Sequence, residues 1–531
     1  MRFAASNAGA HMYGLTQMLK SAAASRPGAP STRFNGRDRT WAQTRERVAR
    51  LAGGLAGLGV GKGDRVAILA LNSDRYTEFL SAVWWLGAVV VPMNVRWTAA
   101  ENAYSLENSG SAVLFVDRAF AGLVPAIRAA APGVRHRIFC DDGPTPHGMG
   151  SYEDLVAASA PRADVEAGGE DLAGLYYTGG TTGFPKGVMI SHRALWYNNL
   201  VGSKALGIEP DDVILHAAPM FHMADGCLGG AGSMVGATHV YVPRFEPEAA
   251  MAAIERHGVT QTVMVPTMIA MLLAHPNFAP ERMRSLRTVG YGGSPMPRGT
   301  LAEAMEKLPG IGFTQIYGQT EMAPIVTVLA PRDHVLEGPH AARLASAGRP
   351  APGCEIRIVD EAGADVVPGA VGEILARSPG AMHGYWRLDE QTAATLQGGW
   401  VRTGDGAYRD DDGFIFIVDR MKDMIVTGGE NVFTAEVESA ISTHPAVAEV
   451  AVIGVPDARW GEAVHAIVVP RPGQTLTVAD LTAHCAPLIA NYKHPRGLTL
   501  RTEPLPLSGA GKVLKRDLRA PFWEGHGRAV N

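Results

Sequence analysis

Tyr177-Thr178-Gly179-Gly180-Thr181-Thr182-Gly183-Phe184-Pro185-Lys186-Gly187-Val188 is the stretch on which the fold and the chemistry turn. The apolar run at 172–177 reads as a strand that empties into glycines, three threonines and a lysine. Glycine reaches positive φ angles, so successive N–H groups can turn toward one anion, and hydroxyls and an ammonium add donors. Glycines alone would suit a flexible surface loop. With a strand in front and a lysine behind, the stretch reads as a phosphate-binding loop. It is not a Walker A loop, because Lys186 stands between Pro185 and Gly187 and no GxxxxGK[ST] spacing can be read.

Outward from this loop the chain alternates short β-branched runs with helical patterns. Residues 66–70 predict a buried strand, 76–86 a helix, 89–92 a strand, 112–116 a strand and 119–130 a helix. That order, with hydrophobic strands, predicts parallel α/β layers. After about residue 350 apolar and polar residues alternate beside tight turns such as Asp411-Asp412-Gly413, which predicts antiparallel strands. From Arg420 onward a compact α+β unit is expected, with strands at 447–455 and 464–469. An Ala/Gly/Pro-rich stretch near 156–169 reads as a surface loop.

Bulk properties narrow the class. A chain of 531 residues exceeds one ordinary core and implies two to four units at roughly 100–200 residues each. Net charge is −4, so no basic surface calls for nucleic acid or anionic lipid. Cys140, Cys227, Cys354 and Cys485 lie far apart without a CxxC pair, which argues against zinc and disulfides and suits a reducing cytoplasm. The apolar stretch at 79–95 contains Gly87 and Pro92 and falls short of the roughly 20 residues a spanning helix needs. It reads as a buried helix turning into a buried strand.

Further elements follow in order. They are Pro219-Met220-Phe221-His222, Gly292-Gly293-Ser294-Pro295-Met296, Gln315-Ile316-Tyr317-Gly318-Gln319-Thr320-Glu321, Trp400-Val401-Arg402-Thr403-Gly404-Asp405, Arg420 and Gly511-Lys512. Together with the glycine-rich loop they resemble the acyl-adenylate-forming superfamily of acyl-CoA synthetases, adenylation domains and luciferases. The resemblance covers roughly residues 30–520 and implies a large α/β N-terminal domain of layered subdomains with a small β-barrel-like portion, then a small mobile α+β C-terminal domain. It implies a boundary between 1–421 and 422–531, with Lys422 as the hinge.

What the resemblance implies for chemistry is specific. Thr178, Thr181, Thr182 and Lys186 would contact ATP phosphates; Gly292, Gly293 and Ser294 would flank adenine and one wall of the acyl pocket; Tyr317 would face adenine, and Gln315 would join the nucleotide site. Thr320 would reach the α-phosphate, Glu321 and Thr178 would serve Mg²⁺, Asp405 would hold the ribose, and Arg420 would contact the same ribose or a phosphate. His222 would close the carboxylate end, and Lys512 would be the travelling catalytic lysine. After rotation, Gly428, Gly429 and Glu430 would line a coenzyme A tunnel. Thr434 departs from the pattern, standing where many relatives carry proline.

The implied reaction joins a carboxylic acid to coenzyme A at the expense of ATP through an acyl-adenylate, with a homodimer possible at family level. Residues 196–199, 222–226 and 292–295 are the expected acyl-pocket walls, small or apolar, which favours a fatty, aryl or arylalkanoic acid. Loading a carrier protein is the alternative, and the chain's end at Asn531 without a carrier module favours free coenzyme A. A nucleotide-binding regulatory protein without turnover is a second alternative, opposed by the presence of Lys512, Glu321 and Asp405.

Overall fold

Strand Arg65–Leu69 shows how the first layer is built. Its side chains alternate: Val66 and Ile68 pack with Phe79 and Val83 on one face, while Ala67 and Leu69 pack with Leu106 and Ile127 on the other. A strand apolar on both faces needs helices on both sides, which is the condition for a parallel sheet. Its neighbours Val89–Pro92 and Val113–Val116 do run parallel to it. The computed structural model describes residues 12–178, 185–420, 423–428, 430–507 and 513–524, with backbone alone at 420 and 431.

The first sheet has eight strands, and the pair that frames the glycine-rich loop lies one strand in from its edge. Strand Leu172–Thr178 lies parallel to Val89–Pro92 and antiparallel to Lys186–Ser191, which pairs in turn with Gly384–Tyr385. A second sheet has nine strands. At its centre Val213–His216, Gln261–Met264, Thr288–Gly292 and Gly312–Gly318 all run parallel. The sheets are tied together where Asn72 donates to the carbonyls of His216 and Ala218, and where Thr77 and Tyr241 share a 2.7 Å hydroxyl contact.

Two smaller sheets follow. Glu355–Val359, Gly372–Arg377, Trp400–Arg409 and Ile415–Arg420 form an antiparallel sheet with the short strand Leu396–Gln397, the barrel-like portion of the large domain. The small C-terminal domain is built on the long hairpin Val447–Asp457 and Gly461–Pro470, with Val437, Ile441, Leu481 and Cys485 packed over it. Among the described residues no helix is long and apolar enough to cross a membrane.

Most of the expected elements form, with shifts at their ends. The helix expected at 76–86 is Asp74–Trp85, started by Ser73, whose hydroxyl accepts from the Tyr76 N–H. The helix expected at 119–130 is broken into a 3-10 turn, Ala121–Leu123, and a helix, Val124–Ala130. Pro125 explains the break: it has no N–H to continue a preceding turn but fits the first turn of a new helix. The loop expected near 156–169 gives its first residues to helix Tyr152–Ala158.

Candidate active site

Ligands of open α/β sheets bind beyond the carboxyl ends of the parallel strands, where loops fan out. Three of the sequence-selected elements leave the nine-stranded sheet at that edge. His222 follows strand Val213–His216, Gly293 and Ser294 follow Thr288–Gly292, and Thr320 and Glu321 follow Gly312–Gly318. Gln315, Tyr317, Thr320 and Glu321 are all half-buried.

Glycine is required here by contact. A Cβ on Gly292 would lie 2.1 Å from the Ile316 carbonyl oxygen on the next strand, and one on Gly318 would lie 1.7 Å from that of Pro324. Gly293 has φ +81°, in the left-handed region. The strands can therefore approach closely at the site and present peptide edges rather than side chains.

The glycine-rich loop joins the same place. Thr178 and Lys186 are cross-strand partners at its two ends, while Gly179, Gly180, Thr181, Thr182 and Gly183 lie outside the described residues. Strand Lys186–Ser191 packs beside the turn Thr320–Met322. The Lys186 ammonium sits 5.1 Å from the centroid of the Tyr385 ring, and the Tyr385 hydroxyl donates to Glu321 Oε1 at 2.8 Å. One ring thus joins the lysine to the carboxylate. Burial, reinforced by the Glu321 charge, pushes the Tyr385 phenol above its ordinary range, so it stays a donor.

On the other side of the strand the Tyr317 hydroxyl donates to Asp405 Oδ2 at 2.7 Å. Asp405 is buried in strand Trp400–Arg409, where its backbone pairs with that of Arg420. Gly312–Gly318 and its turn therefore link Lys186, Tyr385 and Glu321 to Tyr317, Asp405 and the Arg420 backbone. Strand Gly312–Gly318 and the turn after it thus carry two contact groups, Lys186–Tyr385–Glu321 and Tyr317–Asp405.

His222 serves first as a cap. It precedes helix Met223–Val235, and its Nδ1 accepts from the Ala224 N–H at 3.3 Å. Three residues on, Asp225 turns inward and meets His216 Nδ1 at 2.7 Å, and His216 Nε2 meets His239 Nδ1 at 2.9 Å. Of the expected acyl-pocket walls, Asp225, Asn198 and Asn199 are taken up inside the protein. Asn198 accepts from the Ile325 N–H, and Asn199 meets the Met18 sulfur.

Gly428, expected at the coenzyme A tunnel, sits at the tip of hairpin 425–432 with φ +61° and donates to the Trp460 carbonyl at 2.8 Å. Glu430 is exposed beside it. Among the described residues no hydrogen bond or ion pair joins this hairpin to Glu321 or Asp405. Gly429, Lys422 and Lys512 lie outside the described residues, as does the side chain of Arg420.

Tyr385 is the residue that sequence reading missed. It lies 64 positions from Glu321, and only the pairing of Gly384–Tyr385 with strand Lys186–Ser191 brings it to the site. The one local hint is the run His383-Gly384-Tyr385-Trp386, aromatic residues next to a glycine, which has φ +138°.

Two strands framing a glycine- and threonine-rich loop, glycine-edged strand ends and two carboxylates contacted by tyrosines fit an adenylate-forming enzyme. The comparisons agree. The profile described as "AMP-binding enzyme" matches residues 19–386, and that of the "AMP-binding enzyme C-terminal domain" matches 436–512. The chain belongs to the AMP-binding enzyme family. It is 36% identical over 526 residues to the fatty acid–[acyl-carrier-protein] ligase ScoC of Streptomyces coeruleorubidus, covering 97% of this chain and 98% of that one. It is 39% identical over 497 residues to a feruloyl-CoA synthase of an Amycolatopsis species, covering 93% and 96%. Among solved structures, the o-succinylbenzoate CoA synthetase of Bacillus subtilis with its acyl-adenylate intermediate superposes with a TM-score of 0.83 at 31% identity, covering 97% and 99%.

Proposed function

We propose that this chain is an AMP-forming acyl-CoA synthetase for a hydrophobic carboxylic acid, fatty or aryl. The observation that carries the reading is the convergence of Lys186 and Glu321 on the Tyr385 ring, beside the Tyr317–Asp405 pair. In the first step a carboxylate oxygen attacks the α-phosphorus of ATP, and pyrophosphate leaves with the bond electrons. Lys186, Thr178, Thr181 and Thr182 hold the departing phosphates, while Thr320 and Lys512 meet the charge that builds at the α-phosphate. Asp405 and Arg420 hold the ribose; Gly292, Gly293, Ser294, Gln315 and Tyr317 frame the base. His222 closes the carboxylate end.

Glu321 fits a hard cation. One oxygen is oriented by Tyr385, and among the described residues no three His, Cys, Asp or Glu side chains form a cage. A Mg²⁺ ion held by Glu321 near Thr178 would take most of its oxygens from phosphate and water, and would supply charge neutralisation there.

In the second step the coenzyme A thiolate attacks the acyl carbonyl and AMP leaves. Lys512 must withdraw first, which a rotation about Lys422, at a domain boundary of 421/422, accomplishes. Gly428, Gly429 and Glu430 then line the path of the pantetheine. Pairing of Asp225 with His216 leaves no acidic or basic group of helix Met223–Val235 to a second carboxylate, which supports a hydrophobic acid.

The test is pyrophosphate release over a panel of acids, with coenzyme A, with a phosphopantetheinylated carrier protein and with neither. The reading requires release with a hydrophobic acid and thioester on coenzyme A. Thioester on the carrier alone selects the activity named for ScoC, and silence with every acid overturns turnover altogether.

A further inference from the structure

A second charged cluster lies at the junction of the two domains, and the steps above make no use of it. Asp419 is in strand Ile415–Arg420, three residues before Lys422, and is 8% exposed. Its Oδ2 accepts from the Thr434 N–H and, at 2.6 Å, from Thr434 Oγ1. Thr434 opens helix Thr434–Ser442 of the small domain and is fully buried. The Lys515 ammonium donates to the same Thr434 Oγ1 and lies 2.7 Å from Glu438 Oε1 one turn further along that helix.

These contacts join three elements. Asp419 belongs to the large domain's last strand, Thr434 and Glu438 to the small domain's first described helix, and Lys515 to its last helix, Lys515–Trp523. Lys515 also begins just after a stapled turn. Leu507 bridges to Val513, and the Leu514 N–H donates to the Pro506 carbonyl at 2.8 Å, so the base of the segment that carries Lys512 is tied directly to Lys515.

Asp419 precedes the proposed pivot and Thr434 follows it. Rotation about Lys422 changes their separation, so bonds that require contact can exist in one orientation and not in the other. Burial opposes the Lys515 charge, but Glu438 and Asp419 outweigh it and keep the amine above its ordinary range. The ammonium is therefore a permanent part of the cluster at neutral pH.

We propose that the orientation described here is the adenylating one and that Asp419, Thr434, Glu438 and Lys515 form an interdomain clasp that holds it, with Lys515 a positioning residue for Lys512. The clasp opens for thioester formation. It depends on threonine at 434: proline there would abolish both donors to Asp419 and the acceptor for Lys515. This proposal rests on the reading that Lys512 drives adenylation.

The experiment measures the two half-reactions separately, adenylation by acid-dependent pyrophosphate exchange and thioester formation from supplied acyl-AMP, in Lys515→Met, Lys515→Arg and Thr434→Pro. Thr434→Pro is compatible with folding. Position 434 is the first helical residue, and Phe433 before it is already extended at φ −84°, ψ 120°. Lys515→Met and Thr434→Pro are expected to slow adenylation about tenfold, the weight of one hydrogen bond to a charged group, and to leave thioester formation within about twofold or faster. Lys515→Arg is expected to restore most of the adenylation rate. Unchanged rates in both half-reactions, or equal losses in both, overturn the clasp. Lys512→Ala run alongside separates the two ideas: adenylation that survives it refutes the lysine assignment, and the clasp is then judged on the half-reaction ratio of Thr434→Pro alone.

Discussion

Two groups of carboxylates in the large domain are held in opposite ways. Beside the eight-stranded sheet, Arg47 donates to Glu78 at 2.7 Å and to Glu153 at 3.0 and 3.1 Å, Arg75 meets Glu153 and Asp142, and Arg37 meets Asp142. Each acid there faces arginine. In the cleft, Glu321 and Asp405 each receive a tyrosine hydroxyl. A carboxylate matched to guanidinium has its charge answered within the fold, whereas Glu321 is oriented at one oxygen by the Tyr385 phenol, a neutral donor. The same residue type is thus held by arginine in one place and by tyrosine in the other.

Variants can break this contrast, and the largest effect is expected on the structural side. Glu78 is 1% exposed and also accepts from the Tyr152 hydroxyl at 2.7 Å. Glu78→Leu strips Arg47 and Tyr152 of a buried partner and is expected to cost about 3–5 kcal/mol in urea unfolding while turnover per folded molecule persists. Glu321→Gln should do the reverse. Adenylation is expected to fall by about 10²–10³ with the unfolding midpoint nearly unmoved, and loss of stability in place of activity would erase the distinction.

Tyr385→Phe sharpens it further. The ring under Lys186 remains and only the hydroxyl to Glu321 is lost, so a drop in pyrophosphate exchange of about tenfold or somewhat more is expected, equivalent to about 1.5–2 kcal/mol. A full-length rate without change would mean that the phenol does not orient the carboxylate.

Asp117 stands between the two groups and gives the smallest effect. Its Oδ2 accepts from the Leu71 N–H at 2.7 Å, and among the described residues Oδ1 is buried without a partner. Burial pushes its carboxyl up to about 6. The folded state then holds a proton that the unfolded chain has released, so this contribution to stability is present below about pH 4 and is lost as pH rises through 6. Asp117→Asn removes the dependence. Its stability relative to the parent should climb by about 1–2 kcal/mol between pH 4 and pH 7, read from urea midpoints across that range. A constant difference across those pH values would place the Asp117 titration elsewhere.

What could be read from the sequence divides along the same physical line. Thr178, Gly292, Tyr317 and Glu321 could be picked out because each sits at or just beyond a strand end, where local residues alone declare a turn and a polar edge, whereas Asp405, in the middle of strand Trp400–Arg409, stood out only through the run Thr403-Gly404-Asp405. The α/β order was legible because strands apolar on both faces leave an unbroken hydrophobic signature, as in 65–69. Tyr385 and the Asp225–His216 pair were not, since their partners arrive through sheet pairing and packing that no local window encodes. Thr434 was visible as a departure from the family pattern, but its meaning depended on Asp419 and Lys515, 15 and 81 positions away.

The close approach at Gly292 has a consequence for altering this enzyme. With a neighbouring carbonyl where a side chain would go, that strand end presents backbone alone, and point mutation cannot change it without pushing two strands apart. Variation at 292 or 318 is therefore expected to act on strand packing, whereas Phe221, half-buried in the loop before helix Met223–Val235, lies on no strand.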